Sequence, residues 1–218
     1  MNNFIHNPIE LPKLTRVTVD GKRLYATPSG NKYPSVTTVT SLGSEDSINA
    51  WRAKVGEEEA NKISNRASGR GTRIHTLCED YLNNKQVTPD LFDRELWKTF
   101  NPVLHNINNV MGLEIMMYSH KLEIAGTADC IADYDGVLSI IDFKTSSKPK
   151  KKEWISNYFI QAAFYAAFFL ELTGIFPKQI VILIAVDDEP PMVFVENTMD
   201  WIPEAIKVRS EFRKIKGY

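Results

Sequence analysis

From Leu113 the chain alternates apolar and polar positions with a period of two, through Leu113–Tyr118, Leu122–Tyr134 and Val137–Thr145. Residues two apart on a strand share a face, so this pattern predicts three strands of a meander. Asp135-Gly136 separates the last two runs, and such a dipeptide between alternating segments predicts a hairpin with a primed two-residue turn. Upstream the period lengthens to that of a helix. Ile48–Val55, Glu57–Ile63 and Arg66–Leu82 carry apolar residues at helical intervals, with interruptions expected at Gly56, Gly69 and Gly71. A second helical group, Leu91–Val110, is broken by Pro102.

Downstream, about Asn157–Leu172 is apolar nearly all round, the pattern of a helix buried against a sheet, and Gly174 and Pro177 end it. Gln179–Val186 suits a central strand, Met192–Glu196 an edge strand, and Pro203–Lys214 an amphipathic closing helix. The stretch before Pro34 is polar and turn-rich, with a candidate small hairpin joining Arg16–Val19 to Lys22–Ala26 through Asp20-Gly21. Pro34 ends that extended part, and Ser35 is placed to cap a helix beginning in VTTVTSLG. The expected organisation is an N-terminal appendage over 1–34 and one α/β domain over 35–218, its helical N-terminal half feeding a mixed sheet.

Composition narrows the classes. The chain has 218 residues, 43% of them hydrophobic, which suits one domain with a sizeable core. A net charge of -1 excludes a generally basic nucleic-acid coat, so contact with nucleic acid must come from local patches. Cys78 and Cys130 are too few for an iron–sulfur cluster or zinc ribbon, and they suit a reducing compartment. No apolar run reaches the ~20 residues of a membrane span, and no targeting segment is apparent. The expected location is the cytoplasm, without membrane association.

Four features could carry chemistry. In the hairpin, Asp129 stands on the first strand, and Asp142 and Lys144, two apart, share a face of the second. Charges on an otherwise apolar hairpin need a partner. They hold either a hard divalent cation beside a charge-stabilising lysine, or a salt bridge between Lys144 and a carboxylate; the residues alone leave both open. His75 and Glu79, four apart, stack on one helix face, where the bland alternative is a surface hydrogen bond; Arg73 beside them is a candidate phosphate contact. Gln161 and Tyr165 share a face of the apolar helix and either line a phosphate-binding cleft or are core groups satisfied locally. Lys148, Lys150, Lys151 and Lys152 follow the hairpin, and either track a phosphate backbone with Trp154 stacking on a base, or form a solvated loop.

In their order and spacing these features match one family. The chain resembles the PD-(D/E)XK nuclease superfamily in its RecB-like branch, most closely the mitochondrial genome maintenance exonucleases with their phage and bacterial relatives, from roughly Pro34 to Val186. GxxxHxxxE of that branch is matched by Gly71, His75 and Glu79; the Asp and later D-x-K by Asp129 and Asp142-Phe143-Lys144; QxxxY by Gln161 and Tyr165. PSVTT at Pro34–Thr38 is also similar. The resemblance implies a restriction-endonuclease-like mixed sheet and a DNA exonuclease acting on single-stranded ends. It implies magnesium or manganese held by His75, Asp129, Asp142 and the carbonyl of Phe143. Lys144 would position water, Glu79 would orient His75 or a hydrated metal, and Gln161 and Tyr165 would hold phosphates. The four cysteines of iron–sulfur relatives are missing, so no cluster is expected, and without GxxxxGK[ST] no ATP is expected to be used. Two other classes stay open: a restriction or junction endonuclease on the same core, and a non-catalytic DNA-binding recombination partner.

Overall fold

The computed structural model describes residues 3–19 and 22–217. Three short strands open the chain: β1 (Thr15–Val19), β2 (Lys22–Ala26) and β3 (Lys32–Pro34), antiparallel in the order β1-β2-β3. The expected pairing of the first two is present, although Asp20-Gly21 lie outside the described residues, and β3 was not expected. Tyr25 and Tyr33 of this sheet, with Leu14 just before it, bury against Tyr118 and Ala125 of the main one. Ser35 then caps α1 (Val36–Thr40), its hydroxyl accepting from Thr38 N at 3.0 Å.

α2 (Glu45–Val55) stops at Gly56, but α3 (Glu57–Leu82) runs unbroken through Gly69 and Gly71, contrary to expectation. The reason is burial. Ile74, Cys78 and Leu82 are fully buried, at roughly 1.5–3 kcal/mol per large apolar side chain, against about 1 kcal/mol for each helical glycine. α4 (Arg94–Phe100) passes into a 3₁₀ turn over Asn101–Asn106, started by Pro102. The expected helix to Val110 ends there, because Ile107 enters the sheet.

The main sheet contains β4 (Ile107–Ser119), β5 (Ile124–Tyr134), β6 (Val137–Ser146), β7 (Gln179–Val186) and β8 (Met192–Asn197), in the order β4-β5-β6-β7-β8. The three-strand meander is as predicted, and its tight turn has Asp135 and Gly136 at φ 51° and 79°, the type I′ conformation that selects glycine at the second position. The connection from β6 to β7 is parallel and carries α5 (Ser156–Thr173); β8 is the antiparallel edge. α6 (Thr198–Lys216) closes the chain, capped by Asn197, with Pro203 inside the helix rather than at its start.

The sheet is covered on both faces. Phe159, Phe164, Phe168 and Phe169 of α5 pack with Ile140, Ile182 and Phe212 on one side. Ile74, Cys78, Trp97 and Phe100 pack with Ile141, Phe143 and Leu183 on the other. Double coverage explains why β7 is an unbroken apolar run. Among the described residues no helix is long and apolar enough to cross a membrane.

Candidate active site

The site lies where the hairpin stops being a hairpin. β5 and β6 pair from Tyr134↔Val137 to Cys130↔Ile141, and the register ends there. β5 stays with β4 to Ser119↔Ile124, while β6 stays with β7 to Ser146↔Val186, so the two strands part at Asp129 and Asp142. Asp129 substitutes for the lost ladder: its Oδ2 accepts from the backbone N–H of Phe143 at 2.8 Å. A buried amide needs such an acceptor. On the same β6, Phe143 turns toward α3, where its ring meets His75 edge-on at 6.2 Å. Lys144 faces α5, 5.2 Å from the Tyr158 ring centroid.

Three ligand-type groups converge through the gap. His75 Nδ1 lies 3.6 Å from Asp129 Oδ2 and 3.9 Å from Glu114 Oε1, and the donor atoms of His75, Glu114 and Asp129 all lie within 4.8 Å of one another. Glu114 has no counterpart among the residues singled out from the sequence. It stands on β4 at φ 47°, flanked by the pairs Leu113↔Cys130 and Ile115↔Ala128 that bring it beside Asp129. Asp142 stays outside this triplet, 1% exposed and ion-paired with Lys144, and its Oδ1 has no hydrogen-bond partner. Lys144 thus meets a carboxylate of its own strand.

The electrostatics follow from packing so much charge into a dry gap. Burial and then the neighbouring Asp142 push the Asp129 carboxyl up to about 7. Burial pulls the Lys144 ammonium down, but Asp142 and Asp129 outweigh it and leave it raised. For His75, burial is again opposed, by Glu114 and Asp129, and the net direction is upward. These residues fit a divalent cation. Two oxygen donors and an imidazole converge, the raised Asp129 carboxyl marks unbalanced negative charge, and a buried carboxylate oxygen nearby lacks a partner.

A cavity of about 230 Å³ opens over the triplet, bounded also by Lys144, Gln161 and Tyr165. Gln161 Nε2 donates to the Tyr165 hydroxyl at 3.3 Å, and burial raises that phenol. Tyr165 reaches its place only because residue 126 is glycine: a Cβ there would lie 2.8 Å from Tyr165 Cε1. Ser35–Thr37, within the PSVTT stretch, complete the wall together with Arg16 and Tyr25, a contribution of the N-terminal sheet that the sequence did not announce.

The remaining candidates lie elsewhere. Glu79 is half-buried on α3, outside the cavity lining, and among the described residues no hydrogen bond joins it to His75. Arg73 is ion-paired with Asp93 and, at 3.5 Å, with Asp90. In the lysine-rich loop, Lys152 pairs with Glu196 at 2.6 Å and Lys151 lies 5.4 Å from the ring of the exposed Trp154. Lys148 and Lys150 make backbone contacts to Ser146 and Met192.

A sheet that parts around carboxylates, a lysine and a histidine brings together donor groups of the kind that can hold a divalent cation. The family follows from sequence: a profile of the PD-(D/E)XK nuclease superfamily matches residues 44–192, and the chain belongs to that superfamily, as the motif order indicated. Human and mouse mitochondrial genome maintenance exonuclease 1 are 28% and 27% identical over 126 and 131 residues, which cover 54% and 55% of this chain. The chain spans 34% and 39% of those relatives' own lengths. A Eubacterium rectale protein, provisionally described as an exonuclease in its crystal structure, shares 17% identity over 68% of this chain and 65% of its own, with a TM-score of 0.49.

Proposed function

We propose that this chain is a metal-dependent deoxyribonuclease that shortens linear DNA from an end, with a single strand as its substrate and magnesium or manganese as its cofactor. The observation that carries this reading is the convergence of His75, Glu114 and Asp129 within 4.8 Å beside the Lys144–Asp142 pair. A divalent cation bound there supplies charge neutralisation at the scissile phosphate and acidifies a water for in-line attack.

The protein's own groups do the rest. His75, Asp129 and Glu114 would hold the cation, with Asp142 and the Phe143 carbonyl of β6 as further candidate ligands. Lys144 Nζ, held by Asp142 and the Tyr158 face, orients the attacking water and stabilises developing charge on phosphate oxygens. Gln161 and Tyr165 hold the strand's phosphates from α5, and Glu79 acts more remotely along α3. Lys148, Lys150, Lys151, Lys152 and Trp154 extend the contact along the strand, Arg73 would reach a phosphate only by leaving Asp93 and Asp90, and neither ATP nor an iron–sulfur cluster takes part. A cavity of about 230 Å³ walled by the N-terminal sheet favours one strand over a duplex. We place this activity in a reducing, cytoplasmic setting, which the two free buried cysteines suit.

The test is digestion of end-labelled linear and circular DNA, single- and double-stranded, with magnesium, manganese or EDTA. The expected result is progressive shortening of linear single strands with either metal and none in EDTA. Efficient cutting of closed circles would assign the site to an endonuclease instead.

A further inference from the structure

Arg16 of β1 lines the same cavity as His75, Glu114, Asp129 and Lys144, although it precedes every motif of the nuclease core. Its Nη2 donates to Thr127 Oγ1 at 3.0 Å, the Tyr25 hydroxyl lies 3.3 Å from the same oxygen, and the guanidinium lies 5.6 Å from the Tyr25 ring centroid. Thr127 is two residues from Asp129 on β5, or about 6.6–6.8 Å along the strand. These neutral contacts fix the guanidinium at the cavity without neutralising it, and among the described residues Arg16 forms no ion pair. The other strong cation in the lining, Lys144, is engaged by Asp142. A phosphodiester entering beside Glu114 and Asp129 meets like charge, and Arg16 is placed to offset it.

We infer that Arg16 is a substrate-binding residue that clamps the phosphate next to the scissile one, so that the N-terminal sheet forms part of the nucleic-acid site. The inference rests on the DNA reading above. One of the five guanidinium N–H donors is used on Thr127, and the planar fork leaves others to meet two oxygens of one phosphate. The offset of two residues from Asp129 assigns Arg16 to the neighbouring phosphate rather than the reacting one.

The test uses the full chain with Arg16→Ala and Arg16→Lys, each checked for an unchanged melting temperature. Binding of a fluorescein-labelled single-stranded oligodeoxynucleotide is measured in calcium across a salt series, and steady-state cleavage in magnesium. Arg16→Ala should weaken Kd about tenfold, the loss of one charge-assisted contact, raise KM in step, and move kcat less. The slope of log Kd against log salt should shrink by about 0.7, the value for one phosphate of a single strand. Arg16→Lys should restore the slope but only part of the affinity, because a point charge cannot form the fork. An Arg16→Ala protein with wild-type Kd and salt slope overturns the inference alone, as does a fall in kcat with Kd and KM unmoved. Failure of the wild-type chain to bind DNA in any cation removes the DNA reading and this inference together.

Discussion

Asp129 allows the site's electrostatics to be tested without any substrate. Its carboxyl is pushed up to about 7 from an ordinary 3.8, by burial first and Asp142 second, with Lys144, His75 and the Phe143 N–H pulling the other way. Between about pH 4 and pH 7 the native state therefore keeps a proton that the unfolded chain has released. Stability from this group is fully present below about pH 4 and is lost as pH rises through 7. At 1.36 kcal/mol per unit the loss has an upper bound of about 4 kcal/mol. Asp129→Asn removes the titration while keeping the shape, and the amide oxygen can still accept from Phe143 N. Urea unfolding in EDTA from pH 4.5 to 8.5 should show the wild type losing stability while the variant changes less. Their difference should be near zero at the acid end and a few kcal/mol in the variant's favour by pH 8. His75, whose basicity is raised by Glu114 and Asp129 against burial, adds a loss of the same sign above its ordinary 6.5. Magnesium or manganese at pH 8 should restore the wild type and do little for the variant. Wild-type and variant curves that stay parallel across the whole range would refute the account of a proton held in place of a cation.

Three further outcomes follow from the same geometry. Lys144→Ala should lower single-turnover cleavage by ~10²–10³-fold, one transition-state contact of ~3–4 kcal/mol. Because it strands the buried Asp142, it should also lower the melting temperature in EDTA, which a divalent cation should partly restore. His75→Ala should reduce any preference for manganese over magnesium, since imidazole is the borderline donor among oxygens; an unchanged ratio of the two rates would remove His75 from the ligand set. Gly126→Ala would set a Cβ 2.8 Å from the Tyr165 ring edge and 3.0 Å from its hydroxyl, in a place where that ring is buried. A stability loss of about 1–3 kcal/mol by urea unfolding is expected, with weaker binding of DNA in calcium; a neutral effect on both would mean that Tyr165 can move aside.

The parts of the fold legible in sequence were those governed by local rules. Alternation, Asp135-Gly136 and the apolar run at Gln179–Val186 each act within a few residues, and the strands they predict are present. Gly69 and Gly71 misled because their cost is local whereas the compensating burial of Ile74, Cys78 and Leu82 is tertiary. Glu114 was missed for a related reason. In GLEIMMYS it is a lone charge with no motif partner nearby in sequence, and only the register between β4 and β5 brings it beside Asp129. Arg16 and Tyr25 are more remote still, reaching the cavity through Thr127 at a sequence separation above a hundred residues.

The same reasoning explains why the charges sit where they do. A continuous β5–β6 ladder would leave no opening between Asp129 and Asp142, and each carboxylate would be buried against apolar helices with nothing to offset its charge. Ending the ladder at Cys130↔Ile141 costs backbone hydrogen bonds, one of which Asp129 replaces through Phe143 N. In return His75 from α3 and Lys144 facing α5 reach the carboxylates from opposite faces of one sheet. Burial and Asp142 raise the Asp129 carboxyl toward its protonated form, and the ammonium of Lys144 sits against Asp142. Both compensations would be exchangeable: with a cation held by His75, Glu114 and Asp129, the Asp129 proton would be lost and Lys144 freed toward a phosphate. The buried carboxylates are therefore held at a cost in stability, and a cation that relieved this cost would gain that difference as binding free energy at this point of the sheet.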